Sequence, residues 1–194
     1  MRKLHVATSR PIGERCIAWA KASGFQLVAA EQCDVFVSVM FDRLVSEQFL
    51  SNRKAYNFHP GILPEYRGSG AYSWAIINGE RETGVTLHEI DRDIDHGPIV
   101  EIRRFQVKPS DTAGSLFRQA ENVMFLMFKR WLPEIAVSDP SAVPQDESRS
   151  GIYYRKDLEG AKDITRLVRA FDFPGKEPLY FISRKGDKVP VIYT

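Results

Sequence analysis

LHVATSRPIGERCIAWAKASGFQLVAAEQCDVFVSVM, residues 4–40, decides the architecture. Leu4–Ala7 is a short apolar run with the length of a strand. Pro11 opens IGERCIAWAKASG, in which Ile12, Cys16 and Ala20, with Ile17 and Trp19, recur at helical spacing until Gly24 stops them. FQLVAA and DVFVSVM are two further β-rich runs. A strand, a helix and a strand in that order predict an α/β chain with a parallel sheet and right-handed crossovers. The link from FQLVAA to DVFVSVM, through Glu31 and Gln32, is too short to join parallel neighbours. FQLVAA is therefore expected to be shortened, or to pair somewhere other than beside DVFVSVM.

Working outward, SEQFLSN reads as a short helix and KAYNF as the next strand. A proline loop follows, then AYSWAIING, a helix ended by Gly79. TGVTLHEI alternates apolar and polar residues, which predicts a half-buried strand. DRDIDHG is a charged loop and PIVEIRRFQV a strand. Ser110 or Asp111 is expected to cap a long helix, DTAGSLFRQAENVMFLMFKRWL, closed by Pro133. AVSDPSAVPQDESRSG, rich in Pro, Ser and Asp, marks a boundary. The expected division is residues 1–136 and residues 137–194. The second part holds a helix, DITRLVRAF, and a hairpin, LYFIS and VPVIY, turning around Lys185-Gly186-Asp187.

The 194 residues are enough for one domain with a full core, and 43 % hydrophobic with 27 % charged residues is ordinary for a soluble globular chain. A formal charge of +2 gives no electrostatic case for nucleic acid or an anionic membrane, and no apolar run approaches the ~20 residues of a membrane span. Cys16 and Cys33, widely spaced, suggest neither a zinc site nor a disulfide framework. A reducing cytoplasm is the expected compartment.

YNFHPGILPEYRG, residues 56–68, places Asn57 and His59 two apart, on one face of an extended backbone. Pro60 and Pro64 then stiffen the exit. A carboxamide can donate to a developing oxyanion, an imidazole can move a proton near neutrality, and an aspartate of DRDIDHG can orient that imidazole. With no serine or cysteine nucleophile beside them, these groups suit direct transfer between two bound substrates. Each has a plainer reading. Asn57 can cap a turn, His59 can be a structural loop histidine, and Asp91, Asp93 and Asp95 can be a solvated turn. The DxDxD spacing lacks the glycine and distal glutamate of a calcium loop, so no metal is expected.

NFHPGILPEYRG followed by WAIINGERETGVTLHEIDRDIDHGPIV resembles the formyltransferases that use 10-formyltetrahydrofolate. The resemblance runs from about Asp34 to Leu132 and continues more weakly through VPQDESRSGIYYRKDL and RAFDFP. It implies a Rossmann-like formyltransferase fold, here with a shortened N-terminal half, over residues 1–136, and a small helix-hairpin appendage over 137–194. It implies that Asn57 holds the formyl oxygen, that His59 assists beside it, and that Asp95 pairs with His59 and shuttles the amine proton. It places the folate against Met40, Phe41, Arg43 and Leu44 on one side and Arg92, Asp93 and Ile94 on the other.

The acceptor is read within the same resemblance. TSRPIG is not a glycine-rich phosphate cradle, which counts against glycinamide ribonucleotide. About 45 residues follow Arg149, too few for the nucleic-acid-binding domain of the methionyl-tRNA branch. TGVTLH, the loop with VPQ, and RAFDFP are most similar to the branch that formylates an amino sugar carried on a nucleotide. Tyr66, Arg67, Gly68, Tyr72 and His88 are the expected acceptor contacts, with Trp74 and Arg169 as further candidates for the base and diphosphate. Other acceptors stay open, namely tRNA-linked methionine and a siderophore hydroxyornithine. Two other activities also stay open: a folate-binding relic or regulatory domain without turnover, and a hydrolase that passes the formyl group to water. The apolar hairpin strands raise the expectation of a homodimer.

Overall fold

The computed structural model describes residues 1–158, 163–177, 179–183 and 185–191. Five strands form one sheet in the order β1 (Leu4–Ala7), β2 (Val35–Val39), β3 (Lys54–His59), β4 (Glu82–Glu89) and β5 (Ile99–Gln106). β1, β2 and β3 run parallel; β4 pairs antiparallel to β3 and β5 antiparallel to β4, so β4 alone runs against the other four.

FQLVAA is reduced to a single parallel bridge, Leu27 to Leu4, reinforced by Val28 N–H donating to the Leu4 carbonyl at 2.9 Å. It lies on the edge of β1 away from β2. It is thus both shortened and displaced from DVFVSVM, as the two-residue link requires. The link itself is a tight turn, Ala30–Gln32.

One sheet face packs on α1 (Pro11–Ala22) and α4 (Ala113–Ile135). Val35, Val37 and Val39 of β2 and Tyr56 and Phe58 of β3 point there, the period-2 set of two neighbouring strands. They meet Cys16 and Ala20 of α1 and Leu116, Met124, Met127 and Phe128 of α4. Fully burying side chains of this size contributes about 1.5–3 kcal/mol each, so this layer fixes the register of the opposite face. There, α2 (Glu47–Leu50) and a smaller cluster around Phe36 and Ala55 cover one end. The other end is left to Asn57 and His59.

Three local expectations are corrected. The α4 cap is Thr112, not Ser110 or Asp111. Its hydroxyl accepts from Ser115 N while the Ser115 hydroxyl accepts from Thr112 N, and Asp111 accepts from Lys108 N instead. Pro133 does not close α4, which runs to Ile135 with Ala136 N–H donating to Leu132 O at 2.9 Å. Proline lacks an N–H and crowds the carbonyl four residues back, but that falls in the last turn, and the hydrogen bond beyond it still forms. β4 is not half-buried: Thr83 to His88 are all buried. Its polar residues face inward loops rather than water. The Thr86 hydroxyl donates to Gly61 O at 2.7 Å and accepts from Leu63 N at 3.2 Å, pinning the proline loop, which contains a cis Leu63–Pro64 bond.

α3 (Ala71–Asn78) and α5 (Ile164–Phe171) pack together at the end of the sheet near the site, with the Ser73 hydroxyl donating to Ala170 O at 2.7 Å. β6 (Tyr180–Ile182) and β7 (Lys188–Pro190) form the hairpin, turning through Gly186 at φ 87°. Side chains on which the dimer expectation rests, those of Phe181, Ile182, Ile192 and Tyr193, lie outside what is described. Among the described residues no helix is long and apolar enough to cross a membrane.

Candidate active site

Register builds the site. Ser38, Asn57 and His88 are lateral partners on β2, β3 and β4, and His59 pairs with Thr86. Cross-strand partners in such pairs hold their Cβ atoms about 4.5–5.5 Å apart, so Asn57 and His88 are neighbours by construction. The β4/β5 ladder slips at Leu87/His88, a bulge beside the site.

Asp95 arrives from the β4–β5 loop. Its backbone is left-handed, φ 49°, a conformation that costs a non-glycine residue free energy. Gly97 sits where the loop turns hardest: a Cβ there would lie 2.0 Å from the Glu89 carbonyl oxygen. The turn aims the carboxylate inward. Asp95 Oδ2 accepts from Gly68 N at 2.9 Å and lies 3.3 Å from His59 Nδ1, and Oδ1 accepts from Asn57 Nδ2 at 3.2 Å. Asn57, His59 and Asp95 therefore converge.

His59 is 3 % exposed and His88 2 %. His88 Nδ1 lies 2.7 Å from its neighbour's carbonyl, Glu89 O, and Nε2 lies 3.1 Å from Asn57 Nδ2 and 3.5 Å from Asp95 Oδ1; in the neutral ring the proton on Nδ1 leaves Nε2 to accept from the amide. Both hydrogens of the Asn57 amide are thus engaged, one by Asp95 and one by His88.

His59 faces two acceptors, Tyr66 O at 2.7 Å from Nε2 and Asp95 Oδ2 from Nδ1. Burial pushes its pKa below the ordinary value, with Asp95 opposing. The neutral ring serves one acceptor, the shorter contact to Tyr66, and leaves Nδ1 able to take a proton. For Asp95, burial acts upward, but His59, His88 and the Gly68 N–H outweigh it and hold the carboxyl well below the usual range. The resting pair is a carboxylate beside a neutral imidazole.

These groups stand in a cavity of about 1160 Å³, larger than the ~300–1,000 Å³ of a typical single-ligand pocket. Met40, Phe41, Arg43, Leu44, Arg92, Asp93 and Ile94 all line it, as do Gly68, Tyr72 and His88. Leu44 and Ile94 stand exposed, so the apolar side chains lie open where a flat ring could cover them. Phe117, Arg10 and, from the C-terminal part, Phe171, Phe173 and Lys176 also line the cavity. Sequence reasoning missed these. Phe171 and Phe173 lie within RAFDFP and Lys176 two residues beyond it, but nothing in their spacing marks a ligand.

Four expected contacts are placed elsewhere. The Arg67 guanidinium is buried, 7 % exposed, and engaged by Gln145 Oε1 and the Glu147 carboxylate. The Tyr66 hydroxyl donates to Glu80 at 2.7 Å, and its ring stacks on Tyr153, which stacks in turn on Trp74. Arg169 is buried and donates to Asp111 O. None of the four side chains lines the cavity. Tyr66 and Arg67 serve through their backbone, Tyr66 O holding His59 and Arg67 leading into Gly68.

Residues 19–128 match the family model described as Formyl transferase. GDP-perosamine N-formyltransferase of Brucella melitensis is 33 % identical over 156 residues, 75 % of this chain and 59 % of that protein. Methionyl-tRNA formyltransferase of Kosmotoga olearia is 31 % identical over 163 residues, 78 % of this chain and 52 % of that protein. The chain thus spans between half and three-fifths of the length of these curated relatives. A crystal structure of an N-formyltransferase from Helicobacter canadensis, described as a complex with folinic acid and dTDP-3-aminofucose, superposes with a TM-score of 0.73. It is 24 % identical, over 89 % of this chain and 81 % of that one, and at that identity the likeness is one of fold.

Proposed function

Because the chain belongs to the formyl transferase family, we propose that it is an N-formyltransferase, moving a formyl group from 10-formyltetrahydrofolate to the primary amine of a nucleotide-linked amino sugar. The convergence of Asn57, His59 and Asp95 on a cavity with room for two ligands carries this reading. The residues present fit a folate: residues 40–44 and 90–94 line the cavity with apolar side chains, Met40, Phe41, Leu44, Ile90 and Ile94, set among the charged Asp42, Arg43, Asp91, Arg92 and Asp93. The folate and dTDP-sugar of the structural relative, and the sugar nucleotide in the name of the Brucella relative, support the two substrate classes.

The geometry divides the work. The amine attacks the formyl carbon, forming the new C–N bond, and the carbonyl oxygen becomes an oxyanion. Asn57 Nδ2 donates to that oxygen after releasing one of its two present partners, a tightening that catalytic hydrogen bonds commonly undergo on binding. The proton lost by the amine passes to the Asp95 carboxylate, where His59 Nδ1, 3.3 Å away, can share it. The tetrahedral intermediate collapses by breaking the bond to the folate nitrogen, which takes up the proton. Burial of both histidines keeps water from competing for these contacts.

The test mixes the protein with 10-formyltetrahydrofolate and, separately, GDP-perosamine, dTDP-3-aminofucose and methionyl-tRNA, and follows tetrahydrofolate. Release that requires a sugar nucleotide and is lost in His59→Ala supports the reading. Release without any acceptor identifies a hydrolase, folate binding without release a relic, and release only with the tRNA a different amine.

A further inference from the structure

The segment from Val143 to Ile152 has no helix or strand of its own beyond one short turn, Glu147–Arg149, yet it is tied to both loops of the site. Val143 exchanges two backbone hydrogen bonds of 2.8 Å with Ile99, just past the Asp95 loop. Gly151 N donates to Pro64 O, and Arg67 N donates to Gly151 O, on the proline loop. Between these anchors lies Gln145, whose side chain joins the two loops. Its Nε2 donates to Asp95 O at 2.9 Å and to Gly97 O at 2.8 Å, and its Oε1 accepts from Arg67 Nε and Nη2.

We propose that Gln145 is a positioning residue for the reaction: it clamps the left-handed backbone of Asp95 from one side and, through Arg67, holds the Gly68 N–H on the Asp95 carboxylate from the other. Each half of the clamp has a physical need. A left-handed aspartate persists only where its surroundings over-determine it, and both Gln145 amide hydrogens are spent on that loop. The carboxylate is aimed at His59 by Gly68, and the residue before Gly68 is the one Gln145 grips. Glu147 completes the enclosure of the Arg67 guanidinium. The segment is therefore part of the site although it touches no substrate.

The proposal rests on the formyl-transfer reading, and its test separates the two. Gln145→Met removes the donors and the acceptor; Gln145→Glu keeps an acceptor for Arg67 and removes the donors. In the full chain, both should lower kcat by about 10²-fold, the loss expected from a displacement of the order of 1 Å. Folinic acid affinity should stay within about threefold. Independently of turnover, the His59 ring is titrated by NMR. The groups facing it are Asp95, His88 across the sheet, and the Tyr66 carbonyl. Asp95 raises its pKa, so Gln145→Met should move the His59 midpoint down, in the same direction as Asp95→Asn. A wild-type rate in Gln145→Glu would overturn the clamp, as would an unmoved His59 midpoint in Gln145→Met when Asp95→Asn moves it. No turnover in the unsubstituted chain counts against formyl transfer alone, and the NMR comparison then decides the clamp.

Discussion

Residues 56–68 and residues 143–152 hold the same aspartate, Asp95, by different means: the first its carboxylate, the second its backbone. The first stretch brings side chains with reactive chemistry, Asn57 and His59, on a strand whose alternation sets their direction. The second brings mainly hydrogen bonds, through Gln145 and a few backbone groups. A strand announces itself by period and by proline exits. A strap whose work is to hold another loop's carbonyls looks like any polar connection. The difference shows that chemistry-bearing residues and the residues that aim them need not be legible to the same degree.

Substitutions that strike the first stretch should cost most. Asn57→Ala removes the proposed oxyanion donor, and kcat should fall by about 10²–10³ with little change in melting temperature. Steady-state kinetics beside thermal melts check this. A loss of stability as large as the loss of rate would show that the amide mainly ties Asp95 to His88.

At the junction of the two stretches stands Gly97, which carries one of the carbonyls Gln145 grips. Gly97→Ala drives a methyl into the Glu89 carbonyl, a backbone atom with little room to yield. We expect destabilisation towards the upper end of about 1–3 kcal/mol in urea melts, with loss of turnover. Thr86→Val keeps the shape of β4 but strands Gly61 O and Leu63 N under the proline loop, for roughly 1–2 kcal/mol. An unchanged urea midpoint would mean the loop is held by its prolines alone.

The pH dependence sharpens the same comparison. The folded Asp95 carboxyl titrates below its ordinary value, so its stabilisation is complete above about pH 4 and is lost as pH falls through that range. The folded His59 also titrates below its ordinary value of about 6.5, so the unfolded chain gains a proton first and stability falls on acidification from there. Both signs agree: stability should rise from acid to neutral pH, and Asp95→Asn should flatten the lower limb. Smallest of all should be Glu147→Gln. Glu147 is exposed, and Arg67 keeps Gln145, so rate and melting temperature should stay close to those of the parent chain.

Much of this was legible in advance for physical reasons. The strand–helix–strand order and the two-residue link fixed where FQLVAA could not go. Alternation put Asn57 and His59 on one face, and a charged loop after a strand supplied Asp95. Other residues left no trace. Arg67 follows a tyrosine in a motif that reads as acceptor-facing, yet its partners lie 78 and 80 positions away in sequence, and no local pattern reports so distant a pairing. β4 was misjudged because alternation signals a half-solvated strand only when its polar face meets water; here Thr86 and His88 meet a loop and a cavity. The cap on α4 went to Thr112 because a reciprocal bond with Ser115 outcompetes the aspartate before it.

The most direct test of the site is Asp95→Asn, read as kcat for formyl transfer against the dissociation constant for folinic acid. If the carboxylate takes the amine proton beside His59, kcat should fall by about 10²–10⁴ while folinic acid binds within a few-fold of the parent chain. Equal losses in both would contradict that role and reduce Asp95 to a brace for its loop.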